Sequence, residues 1–175
     1  LKWWTRNPMN QQVEVYHGQM HNKVGYTVST TLFHNDGYRE GETEMRGRVS
    51  RSLYFKSQKF NRLKTGIGYN YQIQKSGNFL IWESADLGYT PSGGADTSIA
   101  ASTLTYNFGQ RLFLDPYIKF TDKNNNKHSL KTRMYFAENV NLNNLSQSNG
   151  AVIYFSDYQF QKQYSNNFTL TTGIS

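Results

Sequence analysis

Chemistry in this sequence would have to come from a small set of side chains. Four histidines are present, His17, His21, His34 and His128. His17 and His21 stand four apart, a step that puts two ligands on one face of a helix, yet the residues around them read as strand and turn. No serine or carboxylate motif of a nucleophilic site surrounds any of the four, and GxSxG, HExxH, P-loop and dinucleotide fingerprints do not occur. Cysteine is absent, which removes disulfides and thiolate metal sites. The loop NDGYREGE offers Asp36, Glu40 and Glu42 as oxygen donors for Ca²⁺, but with Arg39 among them a solvated loop is the better reading. Asp122, Asn124 and Asn126 imitate the first ligands of an EF-hand, whereas Lys127 stands where Gly is needed and Arg133 where Glu is needed. His34, at a predicted loop edge, is the histidine placed to serve as an axial haem ligand, a reading with less weight than a structural one. The residues therefore indicate no enzyme, no metal and no cofactor, and leave recognition as the chemistry to place.

The elements that would carry it are strands. From Leu63 to Ser76, Leu63, Thr65, Ile67, Tyr69, Tyr71 and Ile73 fall on one side of an extended chain, and Lys64, Gly66, Gly68, Asn70, Gln72 and Gln74 on the other. That period of two marks a strand with one apolar and one polar face. Its length exceeds the ~5–6 residues of an ordinary strand and matches the ~9–11 that cross a bilayer at a tilt. The same pattern predicts strands over 11–19, 24–34, 44–56, 63–76 with a possible extension to Trp82, 104–121, 128–136, 152–160 and 168–174. Pro116 inside the fifth requires an edge, a bulge or a free amide position.

These about eight strands follow one another in hairpins, an antiparallel up-and-down all-β order. Connections at 20–23, 57–62, 122–126 and 163–166 are expected to be short, and those at 35–43, 83–102 and 138–149 long, the asymmetry of outer-membrane barrels. Aromatics reach 15% of the 175 residues against three prolines, which favours strands. No apolar stretch approaches the ~18 residues of a membrane helix, the longest running from Ala151 to Phe155, while the mean hydropathy of −0.73 suits a barrel whose strands alternate. Tyr54, Phe55, Phe60, Tyr164 and Phe168 toward one end, with Tyr71, Phe79 and Trp82 toward the other, would form two aromatic girdles. The net charge of +7 is scattered rather than clustered, which argues against a nucleic-acid partner.

NDGYREGE (35–42), KSGNFLIW (75–82), PSGG (91–94), LDPYIKFTDKNNNKHSLKTRMY (114–135) and DYQFQKQYSNNFTLTTG (157–173) resemble the barrel region of TonB-dependent outer-membrane receptors of the Bacteroidetes type. The resemblance extends over most of the chain. It implies a section of a 22-stranded transmembrane β-barrel in the outer membrane of a Gram-negative bacterium, importing a scarce nutrient of the siderophore, haem, cobalamin or glycan class. The partners it implies are outer-membrane lipid, the rest of the barrel and its plug, the TonB complex acting through that plug, and a surface lipoprotein. Residues 1–175 would form a partial barrel domain without an internal boundary; no plug or TonB box is found in them. Substrate-contact candidates are Trp3, Trp4, His34, Tyr38, Arg39 and Trp82. Two alternatives stay open: a complete eight-stranded outer-membrane barrel acting as anchor or adhesin, and a soluble β module that binds carbohydrate through exposed aromatics.

Three expectations follow for the coordinates. The apolar parity set, Val24, Tyr26, Val28, Ile67, Tyr69 and Ile73 among it, faces outward and the polar set lines a concave face. That polar face carries net positive charge from Arg46, Arg48, Lys56, Lys64, Lys119, Lys131 and Arg133, suited to an anionic ligand or an acidic plug surface. The loop pattern puts both chain ends on the long-loop side, so the first and last strands should present open edges paired in a larger barrel rather than with each other.

Overall fold

The computed structural model describes residues 4, 7–57 and 62–175; Trp3, Phe60 and most of the third predicted turn lie outside the described residues. Eight strands form one antiparallel sheet: β1 (Asn10–His21), β2 (Val24–Asn35), β3 (Glu44–Lys56), β4 (Lys64–Asn78), β5 (Thr105–Thr121), β6 (Lys127–Asn141), β7 (Asn149–Ser165) and β8 (Phe168–Ile174). They lie side by side in chain order, so every connection is a hairpin. β1 and β8 do not pair with each other: the sheet is open, with two free edges. Seven strands have 12 to 17 residues, and β8 has seven. Among the described residues no helix is long and apolar enough to cross a membrane; a 3-10 turn spans Leu145–Gln147.

The register assigns the two faces. Across β1 to β4 the rows Val13↔Leu32↔Gly47↔Ile73 and Gln19↔Tyr26↔Leu53↔Ile67 fall on one face, the apolar set read from alternation. Among the described residues no second sheet packs on this face, and Val13, Tyr26, Leu32, Leu53, Ile67 and Ile73 remain exposed. That arrangement differs from a sandwich, whose apolar faces close on each other. The opposite face is polar and, in β2 to β4, more crowded: Ser50, Ser52, Asn70, Gln72 and Gln74 are half-buried, whereas Leu53, Ile67, Tyr69 and Ile73 are exposed. Its side chains hydrogen-bond laterally, Thr27 with Ser52 at 2.7 Å and Asn70 to Ser50.

Glycines on the polar face make room for tyrosines from the next strand. The Tyr54 ring occupies the space a Cβ on Gly25 would need, and Tyr117 lies over Gly66, where a Cβ would also stand 2.7 Å from the Leu53 carbonyl oxygen. Tyr54 therefore belongs to the polar face and not to a lipid-facing girdle. Tyr71 is likewise no girdle residue, since it sits mid-strand and its hydroxyl donates to Gln110 Oε1 at 2.8 Å.

Several boundaries differ from the sequence reading. β4 ends at Asn78, and Trp82 makes an isolated bridge with Pro91 inside the following loop. β6 continues to Asn141 and β7 begins at Asn149 and runs to Ser165, so the third long loop shrinks to 142–148 and the last turn to 166–167. Polar, Asn-rich composition suggested loop there, but a strand held by a neighbour's ladder stays extended whatever its side chains. Connection 57–63 is then as long as 142–148, and the long–short asymmetry rests on 36–43 and 79–104. Pro116 lies in the central strand β5. Its ladder with β4 is continuous, while that with β6 skips Asp115 and Pro116, so the missing amide falls on the β6 side. There Thr132 Oγ1 donates to the Pro116 carbonyl at 3.5 Å, and Arg133 bridges the gap by two bonds to Asp115 at 2.7 and 2.9 Å.

Candidate recognition surface at the long-loop end

Among the described residues the fully buried hydrophobic side chains sit outside the strands. Phe79 and Leu104, at the two ends of the β4–β5 loop, are buried together with Pro91. Loop 79–104 is thus a small folded unit on the sheet rather than a floppy connection. Its spine is a set of backbone bonds, Glu83 N to Thr90 O at 3.0 Å, Ser92 N to Ile81 O at 3.0 Å and Thr103 N to Ser92 O at 2.9 Å. Gly93, at φ +76°, turns the chain where its amide donates to Glu83 Oε2 at 2.8 Å.

Arg39 fastens the neighbouring loop to this unit. Its guanidinium donates to Glu42 through Nε at 3.0 Å and Nη2 at 2.6 Å, to the Phe79 carbonyl at 3.1 Å and to Asn78 Oδ1 at 3.1 Å. The same group lies 4.5 Å from the Phe79 ring centroid and 5.5 Å from that of Tyr38. Hydrogen bonding to Glu42, outweighing desolvation, holds the Arg39 pKa above its usual value. Glu40 N donates to Tyr89 O at 2.7 Å, and Tyr38 meets the Tyr89 ring edge-on at 6.2 Å. Arg39 is therefore a clamp between loops, with its donors committed inside the protein.

The third loop joins through Asn141, buried at the end of β6. Its Oδ1 accepts from Asn143 N at 3.0 Å and Asn144 N at 2.9 Å, and its Nδ2 donates to Gln147 Oε1 at 2.8 Å. Asn143 Oδ1 in turn accepts from Tyr106 N at 2.7 Å, tying the loop to β5.

The sequence candidates divide accordingly. Tyr38 and Trp82 are exposed on this surface, beside Leu80 at 82% and Ile81 at 62% exposure. Trp4 is half-buried, and Trp3 lies outside the described residues. His34 Nε2 pairs with Asp36 Oδ1 at 2.8 Å, and Asp36 Oδ2 accepts from Met9 N at 3.0 Å. His34 Nδ1 is buried without a partner. The imidazole is a local clasp, and an iron would have to displace Asp36 or reach the buried nitrogen. Glu42 is taken by Arg39 and Asp36 by His34, and among the described residues no three His, Asp or Glu side chains converge on a metal position. Sequence reasoning read Phe79 as a girdle aromatic, though it is buried, and Glu42 as an oxygen donor for a cation, though it holds Arg39; it passed over Leu104 and Asn141, of which Asn141, preceding a polar run, carried a visible turn-capping signal.

Directly after the clamped Asn78 and Phe79, the side chains of Leu80, Ile81 and Trp82 are consecutive exposed apolar groups. No protein-family model, no curated protein and no solved structure matches this chain.

Proposed function

We propose that the chain is a wall section of an outer-membrane TonB-dependent receptor that imports a scarce nutrient, with the loop surface around Tyr38 and Trp82 making first contact with substrate. The observation that carries this reading is the apolar face: in a single open sheet it stays exposed, and none of the described residues packs over it as a second layer. Such a face needs a cover of area comparable to the sheet, and a bilayer provides one without further partners. Strands of 12 to 17 residues are long enough for the span. The free edges of β1 and β8 support a place within a larger barrel, where neighbouring strands satisfy them, over a self-closed eight-stranded barrel. A soluble carbohydrate-binding module would leave this face in water.

The test is reconstitution of the chain with brominated lipid and an environment-sensitive fluorophore at single cysteines. Labels at Ile67 and Ile73 should be quenched, and labels at Asn70 and Gln72 should not. A chain that stays monomeric in plain buffer at high concentration, with no quenching at either set, would overturn the membrane assignment.

A further inference from the structure

The register gathers cations that lie far apart in sequence. On the polar face Lys56 stands directly opposite Lys64, Lys64 opposite Lys119, and Lys119 opposite Ser129. Neighbouring strands lie ~4.8 Å apart, so the three lysines fall within ~10 Å. Like charges set directly opposite destabilise a sheet. One step up the strands, Lys131 stands opposite Tyr117.

Among the described residues none of these lysines forms an ion pair. The carboxylates at this end are Asp157, opposite Lys131 but unpaired with it, Asp115, which is held by Arg133, and Asp122 in the β5–β6 turn, which is taken by Asn126 and lies 3.5 Å from His128 at the cleft wall. What supports the ammonium groups is aromatic: Lys56 and Lys64 lie 5.5 and 5.3 Å from the Tyr54 centroid, and Lys64 lies 5.8 Å from that of Tyr117. A second observation is independent of charge. Ser129 Oγ, in the same row, is buried and has no hydrogen-bond partner. Buried hydroxyls are rarely left so. Arg62, Lys119, Ser129 and Lys131 line one cleft, together with Gln159 and Gln161.

We propose that this cleft, at the short-turn end of the polar face, binds a phosphate-bearing small molecule through Lys119, Lys131 and the Ser129 hydroxyl, with Lys64, Lys56 and Arg62 completing the field. Lysines act on phosphate as point charges, and the hydroxyl supplies the directional bond. The footprint, three strands wide, fits a compact polyanion better than an acidic polypeptide lying along the face. The site rests on register and charge and does not depend on the receptor reading.

The experiment titrates the folded chain with tripolyphosphate by calorimetry at low and moderate salt. Binding should weaken with salt, fall about tenfold or more in K119Q/K131Q, and fall measurably in S129A. S129A removes only an unpartnered group and keeps the fold testable should the double variant fail to fold. R46Q/R48Q, on the same face toward the long loops, should retain affinity within about twofold. Absence of tripolyphosphate binding, equal loss in R46Q/R48Q, or tighter binding of hexaglutamate than of tripolyphosphate would overturn the proposal.

Discussion

Replacing Arg39 with alanine should open the loop end of the molecule without unzipping the strands. Four hydrogen bonds leave with the guanidinium, two of them to the Glu42 carboxylate. Bonds to charged groups contribute ~1.5–3 kcal/mol each, but two bonds to one carboxylate are not additive. Side-chain exposures of 18% for Arg39 and 24% for Glu42 mean that water recovers part of the loss. The net cost is about 2–3 kcal/mol, chiefly from leaving a partly covered carboxylate unpaired. That figure multiplies the opening constant of the loops by roughly 30 to 160. The ladders of β2 with β3 and of β4 with β5 contain none of these bonds and should keep their protection. Hydrogen exchange resolved over 36–43 and 79–104, under conditions that keep the chain monomeric, reads the effect. Arg39→Lys should recover only part of it, because an ammonium cannot reproduce the fork on Glu42. Unchanged loop exchange in R39A, or equal deprotection of β3 and β4, would refute the clamp.

Three further outcomes are expected. Asp122 accepts from Asn124 N, Asn126 N and Asn126 Nδ2, and the Asn126 side-chain bond, first among these, holds its carboxyl below the ordinary aspartate range. Its contribution to the β5–β6 turn is therefore full above the unfolded-state pKa and lost as pH falls through the depressed folded value, which an NMR titration of the Asn126 amide would follow; a flat titration would contradict it. Pro116→Ala should supply the missing donor toward β6 and raise protection at that step by about 1 kcal/mol, measured by hydrogen exchange; lowered protection would show that the gap is strained open. Gly66→Ala should destabilise the sheet by ~1–3 kcal/mol in denaturant titration, since the new Cβ meets the Leu53 carbonyl and Tyr117, and a neutral result would mean that the Tyr117 shelf is not packed as described.

Alternation alone determined much of this molecule. Side-chain parity along an extended chain is a local property, so the faces holding Ile67 and Asn70 were legible before any strand had a neighbour. Up-and-down order and most strand positions were legible for the same reason, because each turn carries its own polar residues. Strand ends were not. Glu138 to Asn141 and Asn149 to Gly150 are extended because a partner's ladder runs beside them, a circumstance their composition does not encode. The loop surface was legible only as a set of residue types. Tyr38 and Trp82 stood out as aromatics, whereas Arg39 looked like a contact residue and proved to be a clamp, because Asn78 and Phe79 lie about forty residues away in the chain and reach it only through the hairpins. The lysine row has the same origin: Lys56, Lys64 and Lys119 share a polar parity in the sequence, but that they stand shoulder to shoulder is decided by register, which depends on the pairing of whole strands and on no single stretch of chain.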